Sequence, residues 1–262
     1  MMAGMTAEKR RERLDLALVS RRLALSRERA QALVAAGLVE VDGALARSAA
    51  QPVSAATTVR LLGRDHPWAS RGGLKLDAAL DAFALECAGR VCLDAGASTG
   101  GFSDVLLSRG AARVYAVDVG RGLLDPRLAG DPRVAVMDGT NLRFLDSVPG
   151  PPPDLVTLDL SFISLRLVVP AVARVIAPGR PTDLVALFKP QFELGRDAVG
   201  KGGVVRDPGA GAAGVRAFID WAARSHGAVA AHEPVPAAVR GAQGNQEWFA
   251  HLVLHPDPEP AQ

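Results

Sequence analysis

Short apolar runs alternate with amphipathic stretches along most of the chain, in the order expected of strands followed by helices. The apolar runs that predict strands are 91–94, 114–119, 134–137, 155–159 and 184–188, with two more at 228–230 and 247–254. The stretches that predict helices are 74–83, 102–109, 164–176 and 211–223. Because nearly continuous apolar strands separated by helices are typical of a mostly parallel sheet covered on both faces, we predict a Rossmann-like α/β domain.

The N-terminal part of the chain predicts two helices and two short strands. Helical periodicity runs from 13 to 35, where Ser26 is a suitable N-cap and Gly37 a suitable C-cap for the second helix. The strands are predicted at 39–41 and 59–62. A turn at Asp42-Gly43 follows the first strand, because this dipeptide tolerates the positive φ of a two-residue hairpin. Together these elements predict a small α+β domain.

The charge distribution divides the chain in the same way. Residues 1–63 hold ten Lys or Arg and six Asp or Glu, so in a chain of net charge +2 the remainder carries −2. A basic small domain beside a near-neutral large one indicates a docking module for a polyanion. Residues 64–71, in which Pro67 disfavours a continuous helix, predict a linker, and 72–262 the large domain.

The composition favours a cytoplasmic protein without a membrane anchor. A chain of 262 residues with 48% hydrophobic content is sufficient for one full core and a small second domain. No apolar run approaches the ~18 residues of a transmembrane helix, and none follows the basic N-terminus as a secretion signal requires. Two cysteines without metal-type spacing are typical of a reducing compartment and predict neither a disulfide nor a metal site.

A glycine-rich turn follows the first predicted strand of the large domain, where doubly wound sheets bind their ligands. Glycine lets the backbone approach a ligand closely and adopt positive φ. On these grounds we predict that a cofactor is bound by Asp94, Gly96, Ala97, Ser98, Thr99, Gly100, Gly101 and Phe102. The same run could also be a tight strand-to-helix turn without a ligand.

Two further carboxylates favour a nucleoside ligand. Asp118, followed by Val119, ends the second strand, where a carboxylate can accept hydrogen bonds from both hydroxyls of a ribose. Asp138, followed by Gly139, ends the third strand, where it can accept a bond from an adenine amino group. Each alone is typical of a solvated loop, but three acids at consecutive strand ends beside a glycine turn predict a nucleoside site.

The spacing of the glycines distinguishes two cofactors. A dinucleotide site has the pattern G-x-G-x-x-G and places pyrophosphate at a helix N-terminus. Here three residues separate Gly96 from Gly100, and Asp94 precedes them at a position that repels phosphate but suits the cationic amino-acid end of S-adenosylmethionine. The pattern resembles the D-x-G-x-x-x-G signature of class I methyltransferases. We therefore predict S-adenosyl-L-methionine as the cofactor, with NAD as the alternative.

The residues at the later strand ends favour an oxygen as the methyl acceptor. Residues 159–162 lack the prolines of methyltransferases that act on exocyclic amines, and Cys87 and Cys92 are placed as core residues, not as nucleophiles. A ribose 2′-hydroxyl needs a base, and a lysine can serve if its neighbours lower its pKa. The charged candidates are Lys75, Asp159, Lys189 and Glu247. Each of them could also belong to an ordinary surface salt bridge.

Several runs of the sequence resemble the TlyA family, the haemolysin-A-like ribosomal RNA 2′-O-methyltransferases related to the FtsJ type. These runs are 70–76, 93–102, 159–164, 189–193, 202–207 and 244–247. The resemblance implies a Lys-Asp-Lys-Glu tetrad at Lys75, Asp159, Lys189 and Glu247. It implies Lys189 as the base for a cytidine 2′-hydroxyl, with the other three tuning its pKa and orienting the ribose. The implied partners are ribosomal RNA or assembled ribosomal subunits, without a stable protein partner.

The N-terminal domain resembles the S4 RNA-binding domain in residues 13–15, 26–27 and 39–43. The resemblance implies a basic face for RNA phosphates. Its arginines are Arg13, Arg21, Arg22, Arg27 and Arg29, with Arg71 at the end of the predicted linker as a further RNA-binding candidate. The same arginines could be an ordinary solvated surface. Two other functions stay open: an RNA-binding protein without activity, against which the intact tetrad argues, and a membrane-active haemolysin, against which the absence of a spanning or strongly amphipathic basic segment argues.

Overall fold

The computed structural model describes residues 11–21, 23–24, 27–35, 37–62, 66–207, 209–241 and 243–255. These residues belong to two compact units, Met1–Pro67 and Trp68–Gln262. The first unit has one hydrophobic core, and the second has a core on each side of its sheet. The point of division lies within the segment 64–71 that the sequence predicts as a linker.

The first unit combines two helices with short antiparallel strands. Its elements are β1 (Glu12–Arg13), α1 (Leu14–Ser20), α2 (Arg27–Ala35), β2 (Val39–Val41), β3 (Ala44–Leu45), β4 (Pro52–Val53) and β5 (Val59–Leu61). β2 pairs with β3 and β5, and β1 pairs with β4. Asp42 and Gly43 connect β2 to β3 with φ angles of 49° and 83°, which confirms the predicted hairpin turn. The predicted cap Ser26 lies outside the described residues.

The second unit alternates strands and helices as predicted. Its helices are α3 (Gly72–Ala82), α4 (Gly101–Ser108), α5 (Pro126–Ala129), α6 (Val169–Val175), α7 (Pro190–Glu193) and α8 (Ala210–His226). Its strands are β6 (Val91–Ala95), β7 (Arg113–Asp118), β8 (Val134–Asp138), β9 (Leu155–Leu158), β10 (Thr182–Phe188), β11 (Val229–Ala230), β12 (Val235–Pro236) and β13 (Trp248–Leu254).

The strands of the second unit form one sheet in the order β11-β13-β10-β9-β6-β7-β8, with β12 also paired to β13. The five strands from β10 to β8 are parallel, whereas β13 is antiparallel to β10, β11 and β12. The chain runs outward from β6 in one direction and from β9 in the other, so the order reverses between these two strands. Parallel sheets bind ligands at such a reversal, beyond the carboxyl ends of the strands.

Both faces of this sheet are covered, because successive side chains of its strands enter different cores. In β10, Leu184 and Ala186 belong to the core that contains α6 and α8, while Val185 and Leu187 belong to the core that contains α3 and α4. This two-sided burial explains the nearly continuous apolar runs in the sequence. The predicted α/β class with a mostly parallel sheet is therefore confirmed.

One predicted helix is interrupted. The sequence predicts a single helix over 164–176, but the structure has a 3₁₀ turn at Leu165–Leu167 followed by α6. Pro170 lies in the first turn of α6, where the missing N–H of proline is tolerated, and it therefore fixes a helix start inside the predicted segment. The prediction of one continuous helix here is wrong, because apolar periodicity alone does not show where a helix begins.

We predict that Phe218→Ala destabilises the second unit by about 3–5 kcal/mol, since it empties a buried site on α8 against Phe188 of β10. Val229→Ala, at a half-exposed strand position, is the matched control and should change stability by less than about 0.5 kcal/mol. Urea unfolding followed by tryptophan fluorescence measures this, because all three tryptophans lie in the second unit. Equal midpoints for the two variants would contradict the assignment of this core.

Candidate active site

The turn after β6 brings the backbone against the end of β9. Gly96 has a φ of +84°, and a Cβ there would collide with the carbonyl oxygen of Asp159. Gly100 has a φ of +93°, and a Cβ there would collide with the side chains of Leu128 and Leu124. Both positions therefore require glycine, for conformation and for space. α4 begins at the next residue, so the turn joins strand to helix as the sequence predicts.

Asp118 and Asp138 end neighbouring strands and lie opposite each other in register. Asp118 accepts hydrogen bonds from the backbone N–H of Ser98 at 2.8 Å and of Gly120 at 2.7 Å, so it ties the glycine turn to the end of β7. Each carboxylate oxygen keeps further acceptor capacity for a ligand. Asp138 accepts from the backbone N–H of Gly122 at 2.7 Å. The two acids order the loops that follow β7 and β8.

Two adjoining cavities open at the glycine turn. The smaller, of about 360 Å³, is lined by Asp118, Val119 and a set of apolar residues that includes Val117, Leu142, Leu160 and Ile163. The larger, of about 500 Å³, is lined by Ala97, Thr99, Gly101 and Phe102 of the turn and by all four tetrad residues. The residues common to both cavities are Gly96, Ser98, Asp159, Ser161 and Phe162. The predicted cofactor-binding residues outside both linings are Asp94, Gly100, Asp138 and Gly139.

Asp94 lies behind the turn and not on a cavity wall. It is fully buried, and its carboxylate accepts hydrogen bonds from the hydroxyls of Ser103 on α4 at 2.7 Å and of Thr157 on β9 at 3.2 Å. Burial, together with the negative charge of Asp159, raises the pKa of Asp94 to about 7, although both hydroxyls act in the opposite direction. Asp94 therefore links the end of β6, just before the glycine turn, to α4 and β9.

The first half of the predicted tetrad is an ion pair between α3 and the residue before β13. Lys75 Nζ donates to Glu247 Oε2 at 2.6 Å, and both side chains are largely withdrawn from solvent. The side-chain amide of Gln191 also donates to Glu247, at 3.4 Å. The side-chain oxygen of Gln191 is buried and has no hydrogen-bond partner among the described residues. Gln191 also lines the larger cavity, although this oxygen itself has almost no exposed surface.

The second half of the tetrad joins the ends of β9 and β10. Lys189 Nζ lies 2.6 Å from Asp159 Oδ1 and donates to Ser161 Oγ at 3.0 Å, and its side chain is 10% exposed. The four residues implied by the family resemblance thus form two lysine–carboxylate pairs on one cavity. Ser161 is a second partner of Lys189 that the sequence analysis missed, because a neutral serine in a loop is marked neither by charge nor by periodicity.

Glu193 ties together the two loops that carry Asp159 and Lys189. Its carboxylate accepts hydrogen bonds from the hydroxyl of Ser164 and from the backbone N–H of Leu165, each at 2.7 Å. Burial raises the pKa of Glu193, opposed by these two bonds. A second contact, with ring centroids 5.0 Å apart, joins the aromatic residues of the same loops, Phe162 and Phe192.

Phe162 itself is held in an exposed and uncommon conformation. It has a φ of +65°, which is rare for a residue other than glycine, and it is 88% exposed where both cavities open. Apart from its contact with Phe192, this side chain gains little from folding, and its backbone is held in a strained conformation. The arrangement offers a flat apolar surface to a ligand at the cavity mouth.

The predicted RNA-binding arginines differ in the partners that they contact. Buried Asp15 accepts hydrogen bonds from Arg13 and Arg27, and these bonds, led by those of Arg13, hold the pKa of its carboxyl well below the ordinary value. Arg21 donates to the backbone oxygens of Thr57 and Ser54, within its own unit. Arg71 is exposed and lines the larger cavity of the second unit. Arg22 and the side chain of Arg29 lie outside the described residues.

Both cysteines lie in the core, as the sequence predicts, and burial raises the pKa of each thiol. Neither Cys87 nor Cys92 lines the two cavities. A thiol that stays protonated away from the cavity is not available as a nucleophile. Transfer to a pyrimidine ring carbon through a cysteine intermediate is therefore not supported by this site.

A reversal in a mostly parallel sheet, a glycine turn and a nucleoside-sized cavity define a Rossmann-like domain with a site for a nucleoside cofactor. Residues 68–253 match the FtsJ-like methyltransferase family, and residues 12–59 match the S4 domain family. A Mycobacterium tuberculosis protein named 16S/23S rRNA (cytidine-2′-O)-methyltransferase TlyA is 47% identical over 95% of this chain and 92% of its own length. The chain therefore belongs to the TlyA family of FtsJ-like methyltransferases.

Further relatives share most of the chain. A Campylobacter jejuni protein named 23S rRNA (cytidine-2′-O)-methyltransferase TlyA is 31% identical over 71% of each chain. A solved structure of a candidate hemolysin from Streptococcus thermophilus is 35% identical, has a TM-score of 0.72, and covers 97% of this chain and 91% of its own. No helix within the described ranges is long and apolar enough to cross a membrane.

We predict that Asp94→Asn removes part of the pH dependence of stability. An unfolded aspartate ionises near pH ~3.9, so between that pH and about 7 the unfolded chain loses a proton that the folded chain retains. The contribution of Asp94 to the free energy of unfolding must therefore fall as the pH rises through this window. Asparagine does not titrate but keeps hydrogen-bonding capacity toward Ser103 and Thr157.

Urea unfolding of both proteins at several pH values between 4 and 7 tests this prediction. The stability of the wild type relative to Asp94→Asn should decrease steadily as the pH rises. A difference that stays constant over the window would show that Asp94 is ionised throughout.

Proposed function

We propose that this chain transfers a methyl group from S-adenosylmethionine to the 2′-hydroxyl of a cytidine in ribosomal RNA. The observation that carries the proposal is the pair of lysine–carboxylate contacts, Lys189–Asp159 and Lys75–Glu247, on one cavity beside the glycine turn. A hydroxyl nucleophile needs a proton acceptor at its own position. The names of the relatives from Mycobacterium tuberculosis and Campylobacter jejuni support the same acceptor.

The residues around the glycine turn fit S-adenosylmethionine. The smaller cavity combines apolar walls with the carboxylate of Asp118, the combination that a purine and its ribose require. The turn between the cavities leads to the larger one, where the methionine end fits beside Ala97 and Thr99. Asp94 and Asp138 line neither cavity and support the site indirectly. Asp94 accepts a hydrogen bond from Ser103, and Asp138 accepts one from the backbone N–H of Gly122. When bound, this cofactor supplies a methyl group activated by a positively charged sulfur.

Lys189 is the general base of the proposed reaction. To act as a base, the ammonium of Lys189 first releases one proton to solvent, which leaves an amine with two N–H bonds and one lone pair. Asp159 and Ser161 accept the two hydrogens of Lys189 Nζ, which leaves the lone pair for a hydroxyl in the cavity. The proton of the 2′-hydroxyl passes to Nζ as the oxygen forms its bond to the methyl carbon, and the bond between that carbon and the cofactor sulfur would break to leave a neutral thioether. Positioning of the oxygen by the cavity supplies much of the rate gain.

Lys75 and Glu247 orient the ribose. Glu247 accepts a hydrogen bond from one of the three N–H groups of the Lys75 ammonium, which leaves the other two to donate to oxygens of the substrate. Gln191 lines the same cavity and supports Glu247 through its side-chain amide. Lys189 therefore accepts the proton, and Lys75 positions the sugar.

Two features favour RNA as the substrate. Bases of single-stranded RNA stack on exposed aromatic side chains, and Phe162 offers such a surface at the cavity mouth. In the S4 domain, Asp15 fixes the guanidinium groups of Arg13 and Arg27 while both arginines stay substantially exposed, as phosphate binding requires.

Lys189→Ala should lower the rate of methyl transfer about 10²–10⁴-fold, because it removes the base. The affinity for S-adenosylmethionine should change little, since Lys189 follows a different strand from the glycine turn and Asp118. Transfer of radiolabelled methyl groups to purified ribosomal subunits, together with calorimetric titration of the cofactor, measures both quantities. Arg180→Ala, which removes an exposed charge outside the two cavities, is the control. Full activity of Lys189→Ala would refute the base assignment.

Glu193→Ala should lower kcat about tenfold with little change in KM, because the loops of Asp159 and Lys189 lose their connection and the base moves. Glu193→Gln should restore most of the activity, since a glutamine oxygen can still accept from Leu165 N–H. Steady-state kinetics and melting temperatures of the two variants separate positioning from stability. If Glu193→Gln is as inactive as Glu193→Ala, the effect depends on charge and not on this connection.

A further inference from the structure

The larger cavity has more positive charge than its two ion pairs account for. Among the described residues, four cationic ones line it, and Lys75 and Lys189 are each neutralised by a carboxylate at 2.6 Å. The other two, Arg71 and Arg240, are exposed, and neither forms an ion pair with a carboxylate among the described residues. The exposed edge of this cavity therefore carries two uncompensated positive charges, one of which the sequence analysis missed.

Arg240 is held in place by the loop that leads to the tetrad. Its Nη1 donates to the carbonyl oxygen of Gly244 at 3.0 Å. The loop is closed by backbone hydrogen bonds from Gly241 to Asn245 at 3.0 Å and from Ala237 to Glu247 at 2.8 Å. A Cβ at Gly241 would collide with the side chain of Glu247, so the loop packs directly against the tetrad.

This anchoring leaves part of the guanidinium free for a ligand. Among the described residues, Arg240 uses only Nη1 in a hydrogen bond, so Nε and Nη2 keep their donors. A guanidinium that is already positioned loses less conformational entropy when it binds than a freely moving side chain. Its planar arrangement of donors matches two oxygens of a phosphate.

We propose that Arg240, together with Arg71, binds the RNA phosphates on either side of the target nucleotide. The inference rests on the proposed function, because a ribose whose 2′-hydroxyl meets Lys189 has a phosphate on each side of it. Cations at the edge of the cavity that receives the sugar then meet those phosphates. Phosphate contacts fix the register of a strand without reading its bases. Arg240 thus positions the strand, and the cavity selects the sugar.

The carboxylate of S-adenosylmethionine is the other anion that could reach this cavity. The two anions differ in a measurable way, because only binding to a polyanion releases condensed counterions. For single-stranded nucleic acid, each phosphate contact adds about 0.7 to the slope of log K against log salt concentration. A phosphate contact therefore appears in the salt dependence of RNA binding, and a cofactor contact appears in the cofactor affinity.

The test compares Arg240→Ala, Arg240→Lys and Arg224→Ala in the full chain. Arg224 is an exposed arginine on α8 outside both cavities and is the matched control for loss of charge. Fluorescence anisotropy with a short fluorescein-labelled single-stranded RNA, over a range of KCl concentrations, gives affinity and salt slope. Calorimetry gives the affinity for S-adenosylmethionine.

We expect Arg240→Ala to weaken RNA binding about 3- to 10-fold at low salt and to reduce the salt slope by about 0.7. Arg240→Lys should keep the slope, and Arg224→Ala should keep both quantities. All variants should bind S-adenosylmethionine as the wild type does. The proposal is overturned if Arg240→Ala matches Arg224→Ala in RNA binding, or if its main effect is on the cofactor.

Methylation assays with wild-type protein separate this proposal from the proposed function. If the wild type methylates ribosomal RNA but Arg240→Ala leaves the salt slope unchanged, the phosphate contact is wrong and the function stands. If Arg240→Ala lowers the slope but the wild type yields no 2′-O-methylated RNA, the phosphate contact stands and the function is wrong.

Discussion

Two lysine–carboxylate pairs on one cavity are the constraint on which the second unit depends. Withdrawing a charge from water costs several kcal/mol, so each of these side chains needs its partner in place. Lys189 meets Asp159, and Lys75 meets Glu247, with 2.6 Å between the charged atoms of each pair. A fold that separated the partners would leave unpaired charges in a poorly solvated site.

The order of the strands brings these distant positions together. β9 and β10 are parallel neighbours, so the residues after them, Asp159 and Lys189, emerge at the same edge of the sheet. β13 runs in the opposite direction, and its first residue, Trp248, pairs with Phe188 at the end of β10. The antiparallel strand therefore brings Glu247 to the edge where the parallel strands end, and α3 supplies Lys75.

The strands and the charged residues at their ends could be predicted from the sequence, because strands buried on both faces are continuously apolar and a charge marks where burial stops. The direction in which the Asp94 side chain points could not be predicted. Its position near the end of β6 suggests a ligand contact, but its side chain is buried against β9 and α4. Ser161, Glu193 and Arg240 were also missed, because their roles arise from loops that meet only after folding. The interruption of the helix before α6 depends on Pro170, and the spacing of apolar residues gives no sign of it.

The position of the transferred methyl group tests the central claim most directly. Purified protein, S-adenosylmethionine with a labelled methyl group and ribosomal subunits from cells that lack this protein should yield labelled RNA, which is then digested to nucleosides and separated by mass spectrometry. The proposed function predicts that the label is found in 2′-O-methylcytidine and disappears with Lys189→Ala. Label in a base-methylated nucleoside, or unchanged labelling with Lys189→Ala, would contradict it.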